Sequence, residues 1–187
     1  IIVAVVAMTG IGVVFGDMMI SLANGNTFLA LVFSALACIV LGMGLPTTAS
    51  YVIAASIIAP ALTRLGIPIL AAHLFVFYYA CLSAITPPVA LAAYAAAGIS
   101  GGTPMKTAIE ACKVGFAGFI IPFMFVYNSA LMAVGTAGNV IWCAITGLVG
   151  VIAMSAGFQG WFFKKLNMVE RIIILIGGFA MVVPEIY

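Results

Sequence analysis

The sequence predicts an all-α polytopic membrane protein. Of its 187 residues, 66% are hydrophobic and only 5% are charged, whereas a water-soluble domain carries about a quarter charged residues. No Asp, Glu, Lys or Arg occurs in residues 18–63, and none occurs in residues 67–105. Because about 20 apolar residues span a bilayer core, and only helices or closed barrels satisfy the backbone there, these stretches predict membrane helices.

Several function classes are excluded by composition and by the lack of motifs. The net charge of +2 is too small to indicate a nucleic-acid partner. The sequence has no HExxH or GxSxG motif, so the protein is predicted not to be an enzyme. The single histidine, His73, is interpreted as a packing or interfacial residue. The four cysteines lie in apolar stretches without CxxC spacing and are interpreted as core residues, not as metal ligands; they are Cys38, Cys81, Cys112 and Cys143.

The two ends of the sequence suggest a piece of a longer permease. Ile1 opens inside a hydrophobic run, with no positively charged region before it. Residues 1–16 are predicted to complete a crossing that is closed by Asp17 and the "NGN" at 24–26, and the apolar segment 172–187 is short for a full crossing. We therefore expect a fragment, or a trimmed form, of a longer protein.

The central segments are of unequal length. Residues 28–41 and 49–62 are apolar stretches of 14 residues, and each reaches about 21 Å as a helix, which is too short to cross alone. Residues 69–98 are long enough but are interrupted near the middle. Residues 114–134 and 140–163 are predicted to be ordinary crossings.

The first interruption is the stretch "GMGLPTT", residues 42–48. Pro46 lacks an N–H, so the carbonyl of Gly42 loses its usual helical donor. Gly42 and Gly44 permit tight or left-handed backbone. Thr47 and Thr48 add two hydroxyl groups.

The second interruption is the triplet Thr86-Pro87-Pro88. The two prolines leave the carbonyls of Ser83 and Ala84 without their usual donors. Thr86 precedes a proline and is biased away from helical dihedrals. The segment therefore predicts a discontinuous helix.

Broken backbone at membrane depth is tolerated only where protein or a water-filled cavity covers it, so we expect the two breaks to face each other. Transporters build coupling-ion sites from such breaks, and unwound carbonyls hold Na⁺ there. Neither break contains a carboxylate. The predicted sodium ligands are oxygens of Gly42, Gly44, Thr47, Thr48, Ser83, Ala84 and Thr86. Met43, Pro46, Pro87 and Pro88 are the candidate substrate contacts.

Two points stay open from the residues alone. Proline kinks are common in membrane helices, so the alternative is a structural or partner-binding membrane domain that does not transport. Charge also does not decide which interrupted segment is a hairpin and which is a crossing, because both topologies obey the positive-inside tendency. Val76 is expected to face outward.

Three stretches carry a resemblance to a known family. They are "LGMGLPTTASYVIAASIIAPAL", "AAHLFVFYYACLSAITPPVALAAYAAAGISG" and "PFMFVYNSALM". In this order they resemble the large membrane subunit of TRAP (tripartite ATP-independent periplasmic) transporters, and most of all the fused permease type. The similarity covers about residues 1–134, and residues 135–187 look like additional C-terminal transmembrane helices.

The resemblance implies half of an elevator-type, inverted-repeat transporter. Residues 28–62 would be its re-entrant helical hairpin, residues 69–98 its discontinuous transmembrane helix and residues 114–134 a crossing. The family is driven by a sodium gradient and fed by a periplasmic substrate-binding protein. The implied partners also include the remaining N-terminal half of the permease and the lipid bilayer.

The predicted function is therefore a permease component in the bacterial inner membrane. It would move a small organic anion, most simply a carboxylate, with Na⁺ as the coupling ion. No Arg lies at the breaks, so helix N-termini and the bound cation would have to supply the positive potential.

Overall fold

The computed structural model describes residue 5 and residues 8–182 of the chain. These residues are mostly helical, as predicted, with one short β-ribbon. They form two compact units, Ile1–Ile109 and Glu110–Tyr187. This division lies earlier in the chain than the predicted limit of the permease domain at residue 134, which was drawn from family resemblance and stays a prediction.

From residue 10 to residue 109, the first unit contains five complete helices and the start of a sixth. Asn26 caps α2, since its side chain accepts hydrogen bonds from the N–H groups of Phe28 and Leu29. The helix before it continues past Asp17 and ends at Leu22, directly before the turn that contains part of the predicted closing stretch 24–26. The helices are α1 (Ile11–Leu22), α2 (Thr27–Gly42), α3 (Thr47–Arg64), α4 (Ile69–Leu82), α5 (Leu91–Ser100) and α6 (Pro104–Val114).

Helices α2, α3 and α4 pack on one another, and α1 packs on α3. An ion pair of 2.8 Å between Asp17 and Arg64 also joins α1 to α3. Leu31, Ile58 and Phe75 are fully buried between these helices.

Val76 on α4 is fully buried as well, so the expectation that it faces outward is wrong. The hydrophobic pattern of α4 gave little guidance, because nearly all of its residues are apolar and neither face stands out. Which face is covered depends on the two helices that pack against it.

The second unit contains two long helices joined by a ribbon. Its elements are α7 (Phe116–Tyr127), a 3₁₀ turn (Ser129–Met132), α8 (Ala137–Gln159), β1 (Trp161–Phe162), β2 (Lys164–Lys165) and α9 (Met168–Val182). Helices α8 and α9 pack closely because each helix has a glycine at the contact. A Cβ on Gly150 of α8 would lie 2.9 Å from the carbonyl oxygen of Gly178 of α9. Within the predicted crossing 114–134, the α-helix ends at Tyr127, seven residues before the predicted end.

Among the described helices, α8 is long and apolar enough to cross a membrane alone. Helices α6 and α7 meet those criteria together, but they bend by 44° at their junction. The apolar helices α2, α4 and α5 are shorter than a full crossing. Of the two stretches predicted to be too short to cross alone, 28–41 forms α2, which has 16 residues. The other, 49–62, lies within α3, which is longer, with 18 residues.

Candidate functional site

The first break is a tight turn between α2 and α3. Gly44 has a φ of +75°, a left-handed conformation that glycine adopts without steric cost. The carbonyl of Gly42 accepts a hydrogen bond of 3.2 Å from the N–H of Leu45. Pro46 precedes the first residue of α3 and provides no side-chain cap.

The second break separates α4 from α5 by eight residues, 83–90. The carbonyl of Ser83 accepts a hydrogen bond of 3.4 Å from the N–H of Thr86. The carbonyl of Ala84 accepts one of 3.0 Å from the N–H of Ala92, in the first turn of α5. This second bond holds the two halves of the discontinuous helix together.

The three carbonyls that lose their helical donors are therefore not left unpartnered. Each accepts one hydrogen bond from a different backbone N–H, and each carbonyl oxygen has a second lone pair. The prolines change the direction of these carbonyls and the identity of their donors. A cation would have to bind through the remaining lone pair.

The two breaks are in direct contact, as the sequence led us to expect. A Cβ on Gly42 would lie 2.3 Å from Ser50 Oγ and 2.5 Å from Ser83 Oγ. At the tip of the turn, a Cβ on Gly44 would lie 3.5 Å from a methyl group of Val89. The end of α2, the start of α3 and the end of α4 thus converge on one small region.

Ser50 is a site residue that sequence reasoning missed. Its hydroxyl and that of Ser83 are both fully buried and both lie by the carbonyl of Ala80, at 3.5 Å and 2.7 Å. Ser50 lies three positions after Thr47, which is one turn along the same face of α3. That spacing was the available signal.

The threonines differ in their surroundings. Thr86 is half-buried, and its hydroxyl donates a hydrogen bond of 2.7 Å to the carbonyl of Leu82. The lone pairs of that hydroxyl remain able to accept. Thr47 and Thr48 are exposed in the first turn of α3, and the contacts that join the two breaks involve their neighbours instead of them.

The candidate substrate contacts lie at the edge of this region. Met43 and Pro87 are half-buried, whereas Pro46 and Pro88 are exposed. The hydroxyl of Tyr94 on α5 donates a hydrogen bond to the carbonyl of Pro88. This bond fixes the exposed end of the second break to the helix that follows it.

His73 joins α3 to α4, which agrees with the packing role inferred for it. Its Nδ1 lies 2.9 Å from the hydroxyl of Tyr51. The Tyr51 ring also packs edge-to-face on Phe77, with centroids 5.6 Å apart. These contacts hold α3 against α4.

Comparison with known proteins identifies the family. The family model of the tripartite ATP-independent periplasmic transporter, DctM component, matches residues 1–140. No curated protein and no solved structure matches the chain. The match includes both breaks and all three stretches that carried the resemblance, so that inference is confirmed. The chain belongs to the DctM family, the large membrane component of TRAP transporters.

Proposed function

We propose that this chain forms part of a permease that moves a small organic anion, most simply a carboxylate, together with Na⁺. The family is one of membrane transporter components, and the sodium coupling and the substrate class are our inference. In this proposal a periplasmic binding protein delivers the anion, and the permease lies in the inner membrane as a multi-pass protein.

The contact between the two breaks is the observation that carries the proposal. Gly42 brings two interrupted segments together, and the groups around it are carbonyl and hydroxyl oxygens. Hard cations such as Na⁺ favour oxygen ligands, and unwound carbonyls serve this role in other transporters. The ligands would be drawn from the predicted set, with Ser50 added to it.

Anion binding would depend on the helix ends and on the cation. Residues 18–63 and 67–105 contain no Lys or Arg, so no cationic side chain from these segments could pair with a carboxylate. The exposed first turn of α3 has N–H groups without intrahelical acceptors, and its N-cap residue Pro46 provides no side-chain cap. A helix N-terminus of this kind favours negative charge. Binding of Na⁺ nearby would therefore raise the affinity for the anion.

The helix pair α2–α3 would act as the re-entrant hairpin of an elevator-type transporter. Helix α2 is shorter than a full crossing, and α3 does not meet the length and hydropathy criteria for a crossing by itself. The turn between them contacts the break between α4 and α5. The ion and the substrate would be held between the α2–α3 turn and the break between α4 and α5. Helices α2 to α5 would move as one body.

Radiotracer uptake by the complete permease tests this function. The permease is reconstituted into proteoliposomes with its cognate binding protein and a labelled carboxylate. We expect uptake to require both an inward Na⁺ gradient and the binding protein. Equal uptake when K⁺ replaces Na⁺ would contradict sodium coupling, and equal uptake without the binding protein would contradict delivery by that partner.

A further inference from the structure

The ribbon between α8 and α9 presents aromatic and cationic side chains together. Strands β1 and β2 pair antiparallel, and Trp161 lies opposite Lys165 while Phe162 lies opposite Lys164. Directly opposed residues project on the same face of a ribbon, with Cβ atoms about 5 Å apart. Each cross-strand pair therefore places one aromatic residue beside one lysine. Phe163 forms the turn.

These aromatic rings are exposed at the end of the longest apolar helix. Phe163 is 88% exposed and Trp161 is 60% exposed. Exposure of large apolar rings to water is unfavourable, by about 25 cal/mol for each Å². At the end of a membrane-spanning helix, however, Trp and Lys are suited to the headgroup region, where one part of the side chain is apolar and the other is wet.

The other charged groups near the ribbon already have partners. Lys164 Nζ forms an ion pair of 2.9 Å with Glu170 Oε1. The guanidinium of Arg171 donates hydrogen bonds of 3.0 Å to the carbonyls of Gly157 and Phe158 and so caps the end of α8.

Lys165 differs from Lys164 and Arg171 in its partners, because within residues 8–182 its side chain forms no ion pair. It is exposed and lies opposite the indole of Trp161. The ribbon thus retains a cation that is available to an external anion.

We propose that the ribbon Trp161–Lys165 is a binding surface for anionic phospholipid. The ammonium group of Lys165 contacts the lipid phosphate, the indole of Trp161 lies at the level of the glycerol backbone, and Phe163 reaches the acyl chains. Charge complementarity favours an anionic headgroup over a zwitterionic one. The surface lies outside the family match, which ends at residue 140, and it is independent of the sodium site.

Photocrosslinking from the turn identifies the occupant. The full permease carrying Phe163→p-benzoylphenylalanine is reconstituted into vesicles of one part phosphatidylglycerol and three parts phosphatidylcholine. After irradiation, the masses of the adducts are measured. One lysine near an anionic surface contributes about 1 kcal/mol, so we expect the ratio of phosphatidylglycerol to phosphatidylcholine adducts to exceed the bulk ratio of one to three by about fivefold.

Charge-neutralised variants provide the matched comparison. Lys165→Gln should reduce the adduct ratio to the bulk lipid ratio, whereas Lys106→Gln, which removes an exposed lysine on α6, should leave it enriched. Inorganic phosphate at millimolar concentration should not displace the lipid.

Three results would overturn the proposal. The first is a set of adducts in the parent that follows the bulk lipid ratio. The second is a set of adducts mainly with protein, which would indicate a protein partner. Loss of enrichment in free phosphate would indicate a phosphate site instead of a lipid site.

Discussion

Ser83 Oγ lies 2.5 Å from the position that a Cβ on Gly42 would occupy. The two residues belong to different interrupted segments, Gly42 at the end of α2 and Ser83 directly after α4. Only a residue without a side chain allows this approach. The absence of a Cβ at position 42 is therefore what permits the end of α2 to contact the break that follows α4.

Gly42→Ala should separate the two breaks. The serine hydroxyls can rotate away from the new methyl group, but the Cβ of Ser83 would still lie 2.9 Å from it. This Cβ moves only with the backbone. Overpacking of this kind costs about 1–3 kcal/mol. We expect a lower melting temperature in detergent, measured by tryptophan fluorescence, and loss of uptake.

Gly98→Ala is the matched control for this substitution. Gly98 lies in α5, its φ is not positive, and a Cβ there would meet nothing within 4 Å. Alanine is favoured over glycine in helices by about 1 kcal/mol, so the melting temperature should stay unchanged or rise. The double variant Gly42→Ala/Ser83→Gly should recover part of the lost stability. Equal melting temperatures for Gly42→Ala and Gly98→Ala would show that the contact is not close.

The breaks themselves could be predicted from the sequence because proline and glycine act locally. Pro46 ends one helix and Pro87 another by removing an N–H, whatever surrounds them. The replacement donors could not be predicted in this way. The N–H of Ala92 and the carbonyl of Ala84 are eight positions apart, and they meet only because the intervening break returns the start of α5 to Ala84.

Packing between helices was also beyond the reach of sequence patterns. The burial of Val76 and Ser50 depends on which neighbours cover them, and an almost uniformly apolar helix gives no polar face from which to infer this. The His73–Tyr51 hydrogen bond joins residues 22 positions apart. Its formation requires α3 and α4 to be adjacent, which no local pattern specifies.

Tyr51→Phe should weaken the attachment of α3 to α4. The variant keeps the ring that packs on Phe77 and loses only the hydrogen bond of 2.9 Å to His73. Such bonds contribute about 0.5–1.5 kcal/mol, including those between membrane helices. A double-mutant cycle with His73→Leu, followed by thermal melting, should give a coupling energy in that range. Strictly additive effects would mean that the bond contributes nothing.

Glu170 should make the start of α9 sensitive to acid. Its carboxylate accepts a hydrogen bond of 2.8 Å from the Asn167 N–H and pairs with Lys164, and these contacts lower the pKa of Glu170. A carboxyl with a lowered folded-state pKa stabilises the fold above its unfolded pKa and loses that contribution as the pH falls through its folded pKa.

Amide hydrogen exchange at Asn167 measures this effect. After correction for the intrinsic pH dependence of exchange, we expect protection of the Asn167 amide to decrease in acid. Glu170→Gln should decrease that protection already at neutral pH and remove most of the change with pH. Glu110→Gln, in a different exposed ion pair, should retain the parent behaviour. If Glu170→Gln follows the parent curve, the carboxylate does not hold the helix end.

Cysteine labelling tests the proposed topology. In a cysteine-free permease, single cysteines at Lys106 and Lys165 should react only from the cytoplasmic side, and one at Asn24 only from the periplasmic side. Lys106 and Lys165 share a side only if the bent pair α6–α7 crosses the membrane once and α8 crosses it back. Labelling of these two positions from opposite faces would show that the bent pair is re-entrant.

The sodium dependence of uptake tests the central claim, that the two joined breaks form one cation site. Thr86→Ala removes a hydroxyl at the second break, and Pro87→Ala restores an N–H that competes for the carbonyl of Ser83. Loss of a ligand costs roughly 1–3 kcal/mol, and about 2 kcal/mol corresponds to a roughly thirtyfold change in affinity.

Thr107→Ala is the control for that measurement. Thr107 also donates its hydroxyl hydrogen to the carbonyl four residues earlier, at 3.1 Å, but it lies on α6 and away from both breaks in the sequence. Uptake is measured against sodium concentration for all variants at matched membrane levels. We predict that half-maximal uptake by Thr86→Ala and Pro87→Ala requires at least tenfold more sodium than uptake by the parent or Thr107→Ala. Identical sodium dependence in all four proteins would contradict the account.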